Sequence, residues 1–228
     1  MKTKTMAILA GVSAPLILSG SAWAGFVGTK ATSKPNEFGL LVVNVYAIFD
    51  RPDPGDGSGD HMISVAGTPN NPLNIKVQGG VFYNHAFGDD QAPNAAFFPV
   101  FPSLEFDTFI TIGKKTSLGD TLTITPGFPV GITGSSLSTT TSAWAVLPTS
   151  PQGDPFDAKN SFPGNGQILI AQFSTLDGTA ISGIMLIRYV SNGKSAVAIM
   201  TFGIPTPGAF ALMGVAGLIG AQRRRGRT

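Results

Sequence analysis

Residues 167–203, QILIAQFSTLDGTAISGIMLIRYVSNGKSAVAIMTFG, decide the fold class of this chain. Three apolar runs of strand-like composition are separated there by two short polar pairs, Asp177-Gly178 and Asn192-Gly193. Asp-Gly and Asn-Gly are the preferred residues of two-residue hairpin turns, because both central residues need a positive φ. The stretch therefore predicts a three-stranded antiparallel meander.

The two turns also predict which residues face each other across the meander. Leu176 should pair with Thr179 at the first turn, and Ser191 should pair with Lys194 at the second. Residues 184–187, in the middle strand, are apolar on both faces. A strand of this kind is typically central in its sheet and covered on both sides.

Two upstream segments alternate apolar and polar side chains with a period of two, which indicates strands with one solvated face. In residues 41–49 the predicted inward face consists of Leu41, Val43, Val45, Ala47 and Phe49. In residues 104–112 we expect Glu105, Asp107 and Thr111 to point outward and the following side chains to point inward: Leu104, Phe106, Ile110 and Ile112.

Composition extends the β prediction to all of residues 25–203. The chain has 29 glycines and 17 prolines, which suit many short elements joined by turns, and no cysteine, so disulfides cannot hold it. We expect one all-β domain, a two-layer antiparallel β-sandwich that is jelly-roll-like or immunoglobulin-like. Shorter predicted strands lie at 62–66, 73–77, 80–83, 121–125 and 142–147.

Residues 1–24 have the parts of a secretory signal peptide. A start with two lysines precedes the apolar run 6–18, which is too short to span a bilayer, and Ala22 and Ala24 form an A-x-A cleavage motif. We expect Sec-type export machinery to recognise this segment and the mature chain to begin at Gly25. An uncleaved membrane anchor is the alternative.

The end of the chain, residues 204–228, contains two prolines, an uncharged apolar run and an arginine cluster. The apolar run predicts a transmembrane helix over residues 208–222 that contacts membrane lipid, with the arginines on the cytoplasmic side. A buried core helix with a basic end is the alternative, because the run is short. The residues of this predicted sorting motif are Pro205, Thr206, Pro207, Arg223, Arg224 and Arg225.

This three-part tail resembles the PEP-CTERM sorting signal. Pro205 and Pro207 match the two prolines of that signal, whereas Thr206 stands where the family typically has glutamate. The resemblance implies processing by an exosortase-like enzyme and a place in the inner membrane, at the cell surface or outside the cell. Residues 44–50 and 104–113 also resemble exported sandwich proteins that carry such tails. We therefore expect an exported structural protein of the cell surface or extracellular matrix.

The formal charge of the chain depends on its two ends. The whole chain carries +2, but six of its 15 cationic residues lie in the two targeting segments. The nine that remain face 13 carboxylates, which makes residues 25–206 net negative by four charges. Because nucleic-acid binding needs a clustered cationic surface, this balance argues against it.

Four carboxylates lie close together in the sequence at Asp50, Asp53, Asp56 and Asp60, with glycines between them. Oxygen ligands on a flexible loop can surround Ca²⁺. The spacing does not follow the EF-hand alternation, so a solvated acidic turn is the alternative. Calcium is the one cofactor that the sequence suggests.

Catalytic patterns are scarce in this sequence. His61 and His85 are the two histidines, and neither a G-x-S-x-G nor an H-E-x-x-H motif occurs. Glu105 and Asp107 share a predicted strand face, where carboxylates are usually just solvated. We therefore expect no enzymatic activity.

Carbohydrate binding or adhesion is the alternative function, because sandwich domains often bind polysaccharide through aromatic side chains. Trp144 would either serve as such a platform or pack in the core, as its apolar surroundings favour. Residues 94–103 contain Phe97, Phe98 and Phe101 between prolines. This loop would either plug one end of the sandwich or expose an aromatic patch to a partner.

Overall fold

The computed structural model describes residues 25–50, 59–128, 132–161, 166–176 and 179–205. This part of the chain forms eleven β-strands and three short 3₁₀-helices, the latter at Ala95–Phe97, Pro102–Phe106 and Pro151–Gly153. The strands are β1 Phe26–Pro35, β2 Leu40–Phe49, β3 His61–Ala66, β4 Leu73–Gln78, β5 Phe109–Ile110, β6 Thr123–Ile124, β7 Ser136–Thr139, β8 Ala143–Ala145, β9 Gln167–Leu176, β10 Ala180–Ser191 and β11 Lys194–Ile204.

The strands belong to two antiparallel sheets, so the all-β prediction is confirmed. Sheet one has the order β1-β2-β9-β5. Sheet two has the order β6-β8-β3-β10-β4-β7, and β11 pairs with β10. β10 is central in sheet two: β11 follows it along its whole length, while β4 and β3 pair with its first and second halves.

The main hydrophobic core contains side chains from both sheets, which pack together as in a sandwich. The predicted inward face of β2 lies in this core without exception. Trp144 of β8 is also fully buried, and its indole Nε1 donates to the Thr111 carbonyl oxygen at 3.1 Å. The ring of Phe128 meets the indole edge to face at 5.7 Å. The prediction that Trp144 packs in the core is confirmed.

The hairpin at Asn192-Gly193 is present as predicted. Ser191 pairs with Lys194, and the two turn residues have φ values of 51° and 65°. Positive φ at both positions is the requirement that favours Asn-Gly in such turns. The predicted exposure pattern of β10 is only partly right, because Ile184 is 40% exposed while Met185 and Ile187 are buried.

The predicted pairing of the first two meander strands is wrong. β9 lies in sheet one and β10 in sheet two, so the chain crosses between the layers after Leu176. Leu176 pairs with Leu40 of β2 instead. Thr179 still donates to the Leu176 carbonyl oxygen through its hydroxyl at 2.9 Å, which is a local turn contact and not a strand pair.

The predicted strand over residues 104–112 is also largely wrong. Its first half is the 3₁₀-helix Pro102–Phe106, and β5 contains only two residues. Asp107 and Thr111, expected to face solvent, are fully buried. The side-chain amide of Gln172 donates to the carbonyl oxygens of Glu105 and Asp107 at 2.9 and 3.0 Å, which holds this backbone in an irregular path over β9.

The same irregular segment covers part of the outer face of sheet one. Tyr46 and Leu169 on that face form a second buried cluster with Ala92 and Phe109. β2 is therefore buried on both faces, although its alternating sequence predicts one solvated face. Tyr46 shows why: a tyrosine on the outer face can be covered by a loop that is distant in sequence.

The predicted signal peptide lies wholly outside the described residues, and so does the C-terminal tail beyond Pro205. Among the residues that the structure describes, no helix is long and apolar enough to cross a membrane. The predicted transmembrane helix over 208–222 is not among them, and neither is the signal peptide over 1–24.

Candidate functional site

Two of the four aspartates of the candidate calcium site, Asp50 and Asp60, are among the described residues. Asp53 and Asp56 lie outside the described residues. Asp50 is exposed directly after β2, whereas Asp60 is fully buried directly before β3. Within the described residues, no group of three or more potential ligands could hold a metal ion. The four-aspartate calcium site therefore stays a prediction.

The two histidines lie in different surroundings. His61 Nε2 is 3.9 Å from Asp154 Oδ2, and both side chains are partly exposed. His85 accepts a hydrogen bond from the Phe87 backbone N–H through its Nδ1 at 3.1 Å. A nucleophile–histidine–carboxylate arrangement is not among the described contacts of either ring.

Asp107 is a buried ionisable group with a strongly raised pKa. Its side chain is fully buried, Oδ1 accepts the His85 backbone N–H at 2.7 Å, and Oδ2 has no hydrogen-bond partner in the structure. Burial, with a smaller contribution from the charges of Asp90 and Asp89, raises the pKa of Asp107 to about 6, although backbone hydrogen bonds from His85 and Thr108 act in the opposite direction. The sequence gives no sign of this burial, because the contacts come from residues 85–90.

His85, whose backbone N–H binds Asp107, belongs to a surface cluster of three rings, which we call the ring cluster: His85, Phe87 and Phe101. The Phe87 and Phe101 centroids are 4.6 Å apart, and His85 lies within 6 Å of both. Phe87 is 67% exposed, and Phe97 and Val100 on the adjacent 3₁₀ turn are 52% and 69% exposed. Residues 94–103 therefore expose some apolar side chains, such as Phe97, while Phe101 packs against other rings. The sequence does not predict that Phe87 belongs to this cluster, because Phe87 lies on a separate loop.

A groove with a volume of about 500 Å³ lies between the β1–β2 hairpin and the segment that covers β9. Phe106 and the amide side chains of Asn44 and Gln172 line it. Its rim carries charges of both signs, from Lys34, Lys115, Glu37 and Glu105. Phe38 packs on Phe106 at a centroid distance of 5.7 Å. The groove thus combines an apolar ring with hydrogen-bonding groups and little net charge.

The residues that could form an aromatic platform for sugar include Trp144, Tyr46 and Tyr189, and all three are buried. The exposed fractions of Tyr46 and Tyr189 are 6% and 5%. Burial and, for Tyr189, the charge of Asp60 raise the tyrosine pKa values. None of these rings can stack on a ligand at the surface, so the interpretation of Trp144 as a platform is wrong.

The structure describes the residue that follows the predicted signal peptide and the first residues of the C-terminal tail. Gly25, the expected first residue of the mature chain, is buried next to β1. Pro205, the first residue of the predicted sorting motif, is exposed and follows β11 directly. The remaining motif residues lie outside the described part of the chain, as do Ala22 and Ala24 at the cleavage site. The chain matches no protein-family model, no curated protein and no solved structure.

Proposed function

We propose that this chain is exported by Sec-type machinery and retained in the inner membrane by a helix over residues 208–222. An exosortase-like enzyme then processes its tail at the Pro205-Thr206-Pro207 segment. The β-sandwich is delivered to the cell surface or the extracellular matrix, where it acts as a structural protein without catalytic activity.

One observation carries this proposal: the strands occupy the interval between the two targeting segments. β1 begins at Phe26, two residues after the cleavage motif ends at Ala24. β11 ends at Ile204, and Pro205 follows at the surface. Residues 1–24 and the residues that follow Ile204 can therefore be removed or held in a bilayer without cutting a strand, as two-sided processing requires. The net negative charge of residues 25–206 is also suited to a soluble domain outside the membrane.

Cell fractionation with protease accessibility tests the proposal in the organism that makes the protein. We expect the wild-type domain in the envelope or outside the cell, and degraded by protease added to spheroplasts. Replacing Arg223, Arg224 and Arg225 with glutamine should disturb retention and orientation, because these charges hold the helix end in the cytoplasm. Arg188→Gln, at an exposed position on β10, is the matched control and should not change localisation. A full-length cytosolic product would refute the proposal.

A second candidate function, binding of polysaccharide, is favoured by the groove at Phe106. A partly exposed ring beside amide and charged groups suits the apolar faces and hydroxyls of sugars. Phe106→Ala should weaken binding in a glycan array at least tenfold, whereas Leu118→Ala, at an isolated exposed leucine, should not. Absence of binding to every polysaccharide would exclude this candidate and leave the first proposal intact.

A further inference from the structure

Gly25 lies at the end of the molecule where the two sheets meet. It is buried, and its carbonyl oxygen accepts the Asp50 backbone N–H at 3.1 Å. Phe26, the next residue, pairs with Phe49 at the end of β2. The expected new chain end would thus be inside the structure, whereas most chain termini lie at the surface.

Two polar side chains from sheet two approach Gly25 very closely. A β-carbon at this position would lie 2.6 Å from the Ser191 hydroxyl oxygen and 2.8 Å from Asp60 Oδ1. Real β-carbons do not come so close to other atoms, so glycine fits where alanine would collide. Bond geometry then places the Gly25 nitrogen within about 5 Å of Asp60 Oδ1.

The carboxyl group at this place is cut off from solvent. Asp60 has no exposed surface. Three rings, Phe26, Phe49 and Tyr189, pack against one another at centroid distances of 5.7 to 6.0 Å at the same end of the sandwich. A carboxylate in such surroundings is stabilised strongly by a cation within 4–6 Å.

Cleavage by signal peptidase would supply a cation at this place. Water adds across the Ala24–Gly25 peptide bond, which leaves a carboxylate on Ala24 and an amine on Gly25 that takes up a proton. We propose that the new α-ammonium group of Gly25 forms a buried ion pair with Asp60, and that removal of the signal peptide thereby locks β1 onto sheet two. This inference rests on the proposed export, because an uncleaved chain has an uncharged amide at the same nitrogen.

The Ser191 hydroxyl belongs to the same site. Its oxygen is the atom nearest to the Gly25 position, and it lies on β10 beside Tyr189. The Gly25 amine would therefore have two neighbours: the Ser191 hydroxyl on β10 and the Asp60 carboxylate directly before β3. A charged group held by both connects the first strand of sheet one with two strands of sheet two.

Two chains that differ only at their start test the ion pair. One begins at Gly25, the other retains Ala24, and both continue to Thr228 in the same detergent. Asp60→Asn is made in each, with Asp154→Asn as the matched control. We expect Asp60→Asn to lower Tm by about 5 °C or more in the chain that begins at Gly25, and by clearly less in the extended chain. Asp154→Asn should change Tm by the same amount in the two chains.

The amine itself gives a readout that does not depend on the stability of the variant. A free α-amino group has a pKa of about 7.7–8.0. Beside Asp60 its pKa should rise by about one unit, so acylation of Gly25 at pH 7.5 should be roughly tenfold slower than in an unstructured peptide. Other titratable or charged side chains on the neighbouring elements include Tyr189, His61, Asp50, Arg188 and Lys194. Asp60→Asn leaves all of them unchanged, so it isolates the effect of Asp60 on the amine.

The outcomes separate the two proposals. A Gly25 amine of ordinary reactivity, with equal effects of Asp60→Asn in both chains, would overturn the ion pair and leave export untouched. A native N-terminus at a residue other than Gly25, determined by mass spectrometry, would overturn the ion pair and the cleavage step together.

Discussion

Replacing Asp107 with asparagine should change how stability depends on pH. Asp107 is fully buried, and burial together with Asp90 and Asp89 raises its pKa from 3.8 to about 6. Asparagine keeps an oxygen that can accept the His85 N–H, and it cannot ionise. The uncharged amide nitrogen would take the place of Oδ2, which has no hydrogen-bond partner in the structure.

The direction of the pKa shift of Asp107 determines how its ionisation changes the free energy of unfolding. A carboxyl whose pKa is higher in the folded state binds its proton more tightly there, so ionisation works against folding. The cost is absent below pH 3.8, grows as pH rises, and is complete above pH 6. A shift of about two units corresponds to about 3 kcal/mol, of which about 2 kcal/mol falls between pH 4.5 and 7.5.

Urea unfolding at pH 4.5, 5.5, 6.5 and 7.5 measures this effect. Between the first and last pH, the free energy of unfolding of Asp107→Asn should gain about 2 kcal/mol relative to the wild type. Asp157→Asn is the control, because Asp157 Oδ1 also accepts a backbone N–H, from Lys159, but its side chain is partly exposed. Parallel pH profiles for wild type and Asp107→Asn would refute the reasoning.

Two further substitutions test the packing. Trp144→Ala should lower the free energy of unfolding by about 3–5 kcal/mol, because it empties a fully buried site and leaves the Thr111 carbonyl without its donor; a loss below about 1 kcal/mol in urea unfolding would contradict this. Gly113→Ala should cost more than about 2 kcal/mol, because φ is +76° and a β-carbon would collide with the Gln152 carbonyl. Gly39→Ala, at φ +72° with open space around it, should cost only about 1 kcal/mol, and equal losses would show that the collision is not real.

Local chemistry was sufficient to predict one turn and insufficient for the other. Asn192-Gly193 joins strands that are adjacent in one sheet, so the turn residues alone specify the pairing. Leu176 and Thr179 flank the similar pair Asp177-Gly178, yet the chain changes sheets between them. The long partner of β9 is β2, more than 100 residues earlier, and no local signal identifies it.

The strand prediction for residues 104–112 was wrong for a related reason. Its alternation predicts a strand, but Asp107 and Thr111 are polar residues whose partners lie elsewhere in the chain. The backbone N–H of His85 reaches Asp107, and the indole of Trp144 reaches the Thr111 carbonyl. Burial that depends on distant hydrogen bonds leaves no periodic signal. The ring cluster was missed likewise, because Phe87 and Phe101 come from different loops.

The close fit around Gly25 also has no sequence signature. The A-x-A motif predicts where the mature chain begins, but not that this residue is buried against Asp60 and Ser191. Asp60 was grouped with three other aspartates because of its spacing in the sequence. Asp60 is completely buried beside the start of β1, whereas Asp50 is exposed, so the two side chains have different surroundings.

The intact mass of the protein recovered from the envelope and the culture medium tests the export account most directly. The account predicts a chain that begins at Gly25, either complete to Thr228 in the membrane or shortened near Pro205 after processing. A mass equal to the entire 228-residue chain, recovered from the cytosol, would contradict it.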